Sequence, residues 1–194
     1  TAYFECQACG LIVMSPHISP EYFKEFYDAY DAADMFFDEE DILQGSPRHN
    51  HQIVLDKLPS LLPQRTPPDP ITALDIGGGP GLYSAALKRA YPDWRVVHGD
   101  FETRSNSILE KAGVEARHIV LPSQSLGNCE FDVVSAFEVI EHFDYEGFKA
   151  LINTVKAALK PGGIFVCTTP AFDSPMLQAF DWFNICLPHH PPIF

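Results

Sequence analysis

The chain has 194 residues, 46% of them hydrophobic and 20% charged, which fits one α/β domain with a modest N-terminal addition and excludes a disordered chain. Its formal net charge of -13 disfavours nucleic acid and anionic membranes as partners, because both carry phosphate. No apolar run approaches the roughly 20 residues that a membrane-spanning helix needs.

The N-terminal segment is predicted to cover residues 1–62 and to open with irregular or short-stranded chain around Cys6 and Cys9. A helix is expected to begin at Ser19-Pro20-Glu21, where a capping hydroxyl, a first-turn proline and an acid occur together. Its aromatic stripe, Tyr22 to Tyr30, either packs on the core or forms a lid over a substrate. The five cysteines of the chain, an odd number, predict a reduced cytoplasmic protein.

A second helix is predicted over about residues 48–62, with an apolar face made by Ile53, Leu55, Leu58 and Leu62. His49 and His51 on this helix either face a pocket or lie on its exposed side. Residues 63–70, from Pro63 to Pro70, are rich in proline and form the predicted linker into a main domain over 71–194.

Strands and helices alternate from Ile71 onwards. Five strands are predicted, at Ile71–Ile76, Trp94–His98, Ala116–Leu121, Phe131–Phe137 and Ile164–Thr168. Helices are expected after the first strand, near Thr103–Lys111, and between an Asp144 cap and Pro161-Gly162-Gly163. Repeated β-α units of this length indicate a doubly wound, mostly parallel sheet.

A glycine-rich turn follows the first strand, in the run Asp75-Ile76-Gly77-Gly78-Gly79-Pro80-Gly81. Glycines there allow backbone conformations that other residues avoid, and they let a ligand approach the main chain. A dinucleotide fingerprint needs a third glycine at the position that Leu82 occupies. The pattern here is D-x-G-x-G-x-G, and an acid inside the loop suits a cationic ligand better than a pyrophosphate.

Two further segments end at the same predicted edge of the sheet. Asp100 closes the second strand about 20 residues beyond the glycine loop, where an acid can accept hydrogen bonds from ribose hydroxyls. The alternative for Asp100 alone is an ordinary turn residue. The run Phe131 to Phe143 ends the fourth strand, whose carboxyl end is expected to face the ligand crevice of an open α/β sheet.

Together with Leu159-Lys160-Pro161-Gly162-Gly163 and Thr168-Thr169-Pro170, these stretches resemble class I S-adenosylmethionine-dependent methyltransferases over about residues 71–170. The likeness is nearest to the ubiquinone-biosynthesis O-methyltransferase type and related small-molecule enzymes. It implies a Rossmann-like sheet of order 3-2-1-4-5 with N-terminal helices. The family fold ends with two further strands, so we expect 71–194 to be an incomplete core.

The resemblance also implies which residues hold S-adenosylmethionine and its product S-adenosylhomocysteine. Around the methionine part it places the loop and the segment after strand four: Asp75, Gly77, Gly78, Gly79, Gly81, Phe137 and Glu138. Asp100 matches the ribose acid, with Phe101 beside the adenine. Pro47-Arg48 resembles a segment whose arginine meets the cofactor carboxylate. Many relatives carry an acid after strand three; here Leu121 or nearby backbone would take its place.

Three histidines are candidates for a catalytic base: His142, whose alternative is a packed core histidine, and His189 and His190 near the C-terminus. Cys6 and Cys9 resemble half of a zinc-ribbon segment, and with four ligands needed for zinc they are at most a half-site. The chain itself therefore predicts no metal site.

The predicted function is methyl transfer to an oxygen, nitrogen or carbon atom of a small molecule. A cofactor-binding pseudoenzyme, or a subunit without turnover, is the first alternative, because an unpaired last strand invites another chain. A homodimer is compatible with that edge. A nucleotide-dependent oxidoreductase is the weaker alternative, since the glycine spacing disagrees with it.

Overall fold

A computed structural model describes residues 2–5, 7–8, 12–15, 38–44, 49–62, 70–122 and 124–169. The first elements are two short antiparallel strands, β1 (Ala2–Glu5) and β2 (Ile12–Ser15). Helices α1 (Glu39–Gln44) and α2 (His49–Leu61) precede the main sheet. Within these ranges, no helix is both long and apolar enough to cross a membrane.

The main sheet has five strands in the described part of the chain: β3 (Thr72–Ile76), β4 (Arg95–Asp100), β5 (Glu115–His118), β6 (Phe131–Phe137) and β7 (Leu159–Thr168). Their order is β5-β4-β3-β6-β7, and every neighbouring pair is parallel. This confirms the predicted doubly wound sheet of order 3-2-1-4-5.

The remaining helices are α3 (Leu82–Ala90), α4 (Asn106–Lys111), a 3-10 turn (Ile140–His142) and α5 (Tyr145–Ala158). Asp144 caps α5 as predicted, because its Oδ1 accepts the Gly147 N–H at 2.7 Å. Strand β7 begins earlier than expected. The chain from Lys160 to Gly163 bulges out of the ladder, between the pairs Phe131–Leu159 and Val133–Ile164.

Apolar side chains cover both faces of the sheet. On one face, Ala73, Val96 and Val133 pack with residues of α1, α2 and α3, including Ile42, Leu55, Leu58 and Leu87. On the other face, Leu74, Val97 and Val134 pack with Leu151 and Val155 of α5. The predicted inward position of Ile53 is wrong: it is exposed, since two residues of helix turn it about 200° away from Leu55.

Asp132, at the start of β6, joins three strands at the edge where they begin. Its Oδ2 accepts the Thr72 N–H of β3 at 2.8 Å and the Lys160 ammonium of β7 at 2.9 Å. The Asp132 side chain is fully buried. These bonds hold β3, β6 and β7 in register at the edge opposite the glycine loop, so that the strands end together at the other side.

Candidate functional site

The candidate site lies where β3, β4 and β6 end. Strand β3 has β4 on one side and β6 on the other, so the strand order reverses at β3. In open α/β sheets, ligands bind in the crevice outside the carboxyl ends of the strands at such a reversal. The glycine loop, the Asp100 segment and the Phe137–Glu138 segment all begin at this edge.

Main-chain hydrogen bonds fix the glycine loop against the end of β4. Gly77 donates its N–H to the Gly99 carbonyl at 2.7 Å, and Gly79 donates its N–H to Asp100 Oδ2 at 2.8 Å. The loop closes on itself through the Gly81 N–H, which donates to the Gly78 carbonyl at 3.0 Å. Two residues of β4 thus set the path of the loop.

The glycines of the loop face different surroundings. A Cβ on Gly77 would strike Val139, one on Gly78 would strike Asp75 and His98, and one on Gly81 would strike Leu109. A Cβ on Gly79 would meet no described atom within 4 Å, and this residue has a φ of +54°. Among the described residues the loop is therefore packed from below and open at Gly79, where a ligand can reach the main chain.

Asp100 is buried, and both of its carboxylate oxygens accept backbone N–H groups. Oδ2 bonds to Gly79, and Oδ1 accepts the Glu102 N–H at 2.8 Å. Burial raises the pKa of Asp100 to about 6, although the N–H donors favour its ionised form. Next to it, Phe101 leaves 48% of its surface exposed, which offers a flat apolar face beside the carboxylate.

Asp75 lies beneath the loop with only 1% of its surface exposed. Its Oδ2 accepts the Ser84 hydroxyl at 2.8 Å, and its Oδ1 accepts the Ser135 hydroxyl at 3.1 Å. Burial raises the pKa of Asp75 to about 7, against the two hydroxyl donors. The carboxyl group is directed into the domain, where it supports the loop from the core side.

Three rings meet where β6 ends. The Phe137 ring lies 4.4 Å from the Tyr83 ring and 4.5 Å from the His51 ring, and His51 and Tyr83 are 5.3 Å apart. His51 is buried on α2, so the exposed-side alternative is wrong for this residue. The side chain of His49 lies outside the described part. The rings bring the N-terminal helix to the edge of the crevice.

Glu138, directly after β6, has a φ of +56° although it is not glycine. A residue in this left-handed region costs about 1–3 kcal/mol and persists only where its surroundings hold it. Here β7 does so: the Glu138 N–H donates to the Thr168 carbonyl at 3.1 Å, and the Thr168 hydroxyl donates to Glu138 Oε1 at 2.8 Å. The strained residue turns the chain at the strand-order reversal.

The other predicted site residues are less informative. Leu121, half-buried, follows β5 at the same edge, and His142, also half-buried, ends the 3-10 turn after β6. Outside the described residues lie Arg48, His189, His190, Cys6 and Cys9, together with the Tyr22–Tyr30 stripe. Their predicted roles stay predictions.

Sequence reasoning assigned no site role to four polar residues that the structure brings to the site: Ser84, His98, Ser135 and Thr168. Strand alternation contains a signal for two of them, because His98 points to the same face as Asp100, and Ser135 to the same face as Phe137. A polar residue on the buried face of an apolar strand requires a partner, which is reason to look for one.

Fold and site define a doubly wound α/β domain with a glycine loop, a strand-end carboxylate and an exposed ring side by side at the edge where its central strands end. Residues 47–194 match the family model of a methyltransferase domain. The chain therefore belongs to the methyltransferase-domain family.

The names of similar proteins agree with this family assignment. A ubiquinone biosynthesis O-methyltransferase of Paramagnetospirillum magneticum is 35% identical over 102 residues, which are 51% of this chain and 40% of the relative. One of the same name from Cereibacter sphaeroides is 33% identical over 102 residues, 50% of this chain and 40% of the relative. The chain thus spans less than half the length of these relatives.

A similar solved structure is 1,6-didemethyltoxoflavin-N1-methyltransferase of Burkholderia thailandensis, which was crystallised with 1,6-didemethyltoxoflavin and S-adenosylhomocysteine. It has a TM-score of 0.56 and 21% identity, covering 90% of this chain and 76% of that one. At this identity the likeness supports the fold.

Proposed function

We propose that this protein is an S-adenosylmethionine-dependent methyltransferase that acts on a small molecule. The observation that carries the proposal is the arrangement at Gly79, which is open above, bonded to the Asp100 carboxylate at 2.8 Å and close in sequence to the exposed Phe101 ring. Similar proteins of the same family are named as methyltransferases, and one of them was crystallised with S-adenosylhomocysteine.

The residues at this edge suit the parts of that cofactor. Asp100 can accept hydrogen bonds from two neighbouring ribose hydroxyls, because each carboxylate oxygen has a second acceptor position beyond its backbone N–H. Phe101 offers a face for the adenine, and Leu121 an apolar edge. The glycine loop, Phe137 and Glu138 would line the methionine part, and Arg48 would meet its carboxylate.

S-adenosylmethionine supplies an activated methyl group on a sulfonium when it is bound. The protein then needs chiefly to hold the donor and the acceptor in line and to keep water out. Orientation of this kind can contribute about 7–11 kcal/mol to lowering the barrier. The buried rings of His51 and Tyr83, together with the half-buried Phe137 ring, would exclude water beside the methionine part of the cofactor.

The acceptor class follows from charge and from the named relatives. A chain of net charge -13 suits a small molecule better than nucleic acid or an anionic membrane surface. The curated relatives favour a phenol-type oxygen of a quinone precursor. A phenol is protonated at neutral pH, so a base is then useful. His142, His189 and His190 are the candidates. A cytoplasmic location and a homodimer remain predictions.

Calorimetric titration with S-adenosylhomocysteine tests cofactor binding directly. We expect micromolar affinity for the wild type and a loss of at least about tenfold for Asp100→Ala, since the ribose hydroxyls lose a charged acceptor. Leu61→Ala, an exposed change at the far end of α2, is the control and should bind like the wild type. Equal affinity of the wild type and Asp100→Ala would remove the ribose assignment.

Transfer of labelled methyl from S-adenosylmethionine to a set of phenols, amines and sugars tests turnover. With a phenol acceptor, His142→Gln should lower kcat by about 10²–10⁴ while leaving S-adenosylhomocysteine binding unchanged, if His142 is the base. The second candidate is a cofactor-binding module without turnover. Tight cofactor binding without transfer to any acceptor class would support that module.

A further inference from the structure

A row of three polar side chains runs across the sheet directly below the glycine loop. In the strand register, Asp75 of β3 is paired with His98 of β4 on one side and with Ser135 of β6 on the other. All three side chains are buried, and Ser84 of α3 covers them from above. Buried polar groups on neighbouring strands are stable only when they satisfy one another.

The hydrogen bonds in this row have a definite direction. When Asp75 is ionised, the Ser84 hydroxyl donates its single proton to Asp75 Oδ2 at 2.8 Å, so it accepts from His98 Nδ1, 3.1 Å away. His98 then has a proton on Nδ1. Burial lowers the pKa of His98 to about 4, in agreement with a neutral ring. The direction is His98 to Ser84 to Asp75.

The row touches the loop at Gly78. A Cβ there would lie 2.6 Å from Asp75 Oδ2 and 2.8 Å from both Nδ1 and Cε1 of His98, so the Gly78 backbone rests directly on these two side chains. Three consecutive residues of β4 thus support three consecutive glycines. The His98 ring lies under Gly78, the Gly99 carbonyl holds Gly77, and the Asp100 carboxylate holds Gly79.

We propose that His98 and Ser84 are positioning residues for cofactor binding, which hold the glycine loop in its binding conformation through Asp75 and Gly78. This inference rests on the proposed function, because it concerns the same cofactor site. Neither residue reaches the open side of the loop. Their effect is to fix the height and direction of the Gly78–Gly79 backbone, and a displacement of the order of 1 Å there weakens binding of a ligand that contacts the main chain.

Two substitutions at His98 introduce side chains of similar shape and so distinguish a positioning role from a role in packing alone. His98→Asn keeps a donor at the place of Nδ1, whereas His98→Leu has the same branching without any donor. We expect His98→Leu to weaken S-adenosylhomocysteine binding about tenfold and His98→Asn about threefold or less, because only leucine leaves the Ser84 oxygen without its donor. Both titrations are made well below the melting temperatures of the variants.

Val97→Ala is the matched control. Val97 is the neighbouring residue of β4, equally buried but on the opposite face of the sheet. The Val97→Ala variant should have a lower melting temperature and an unchanged affinity for S-adenosylhomocysteine. Amide exchange provides a second measurement: His98→Leu should speed exchange of the Gly77 and Gly79 amides selectively, and Val97→Ala should not.

Ser84→Ala keeps the test decisive if His98→Leu does not fold. Ser84→Ala should weaken binding as much as His98→Leu, and the double variant no further, since both changes break one hydrogen-bonded chain. Equal affinity of wild type, His98→Leu and Ser84→Ala would overturn the inference while leaving the proposed function intact. Additive losses, or losses in Val97→Ala of the same size, would also overturn it. A wild type that binds no S-adenosylhomocysteine would overturn the proposed function itself.

Discussion

Gly79 donates its backbone N–H to the Asp100 carboxylate over 2.8 Å, and the space where a Gly79 side chain would stand contains no described atom within 4 Å. The bond joins two segments that are 21 residues apart in the chain. It places an acceptor for hydroxyl groups beside an accessible stretch of main chain. The same contact thus explains why the acid must end β4 and why the loop must contain glycine at this position.

Gly79→Ala should weaken S-adenosylhomocysteine binding by about tenfold or more, because the new methyl group occupies the ligand's space and the residue has a φ of +54°. The strain should cost about 1–2 kcal/mol of stability. Gly113→Ala is a matched control, since Gly113 has a φ of +79° and an added Cβ would come within 4 Å of Lys88 alone among the described residues. It should show the same loss in urea unfolding but full affinity in calorimetry. Equal binding losses in both variants would contradict a ligand contact at Gly79.

Phe101→Ala should leave stability almost unchanged, because nearly half of the ring surface is exposed without a ligand. Affinity for S-adenosylhomocysteine should fall about fivefold to tenfold, the value of about 1 kcal/mol for an aromatic contact. Separate calorimetric titrations with S-adenosylhomocysteine and with adenosine provide the measurement. The affinity of the variant for both ligands should fall by the same factor. A loss confined to the larger ligand would place Phe101 away from the adenine.

The glycine loop and the sheet order could be predicted because their signals are local. A strand, a turn of permissive residues and a helix follow one another in sequence, and the repeated β-α spacing indicates parallel strands, while the resemblance to the methyltransferase family implied their order. The role of Asp100 required one more step, the knowledge that parallel strands end at one edge. These features depend on chain connectivity and residue type, which the sequence displays directly.

The polar row under the loop could not be predicted in the same way. His98, Ser84 and Asp75 meet only through strand register and through the angle at which α3 packs. Neither the strand register nor the packing angle of α3 can be predicted from local periodicity. His51 shows the same limit, because the helix pattern did not decide which of its sides faces Phe137. Ile53 was placed inward by apolarity alone, although its angular position on α2 exposes it.

Lys160→Met should destabilise the domain by about 2 kcal/mol, because it takes the charged donor from the buried Asp132 carboxylate. Lys149→Met is the control: its partner Glu146 has a side chain that is 75% exposed, so that pair contributes little. Urea unfolding should show a loss for Lys160→Met and almost none for Lys149→Met. S-adenosylhomocysteine affinity should be unchanged in Lys160→Met, since the Lys160–Asp132 pair lies at the edge of the sheet opposite the glycine loop. Equal stabilities would show that the Asp132 contact is not important to the fold.

Asp75→Asn should change how stability depends on pH. The pKa of Asp75 is 3.8 in the reference state and about 7 when folded, because burial opposes its ionised form. Between these two pH values the folded protein binds a proton that the unfolded chain has released, so the free energy of unfolding falls as pH rises. The amide of the Asp75→Asn variant has no such proton. Wild type should therefore lose about 2–4 kcal/mol relative to Asp75→Asn between pH 4 and pH 7.

The comparison of two proteins that differ at one group removes the effects of titrations that do not interact with Asp75; the difference curve therefore reports Asp75 together with its electrostatic coupling to Asp100. Urea unfolding at intervals of pH from 4 to 8 gives the difference curve. Its slope should be steepest well below pH 7 and vanish above it, since both states have then released the proton. Parallel curves across this range would mean that the Ser84 and Ser135 hydroxyls fully offset burial. Asp75 would then be ionised throughout this pH range, and it would support the loop as a hydrogen-bond acceptor without contributing to the pH dependence of stability.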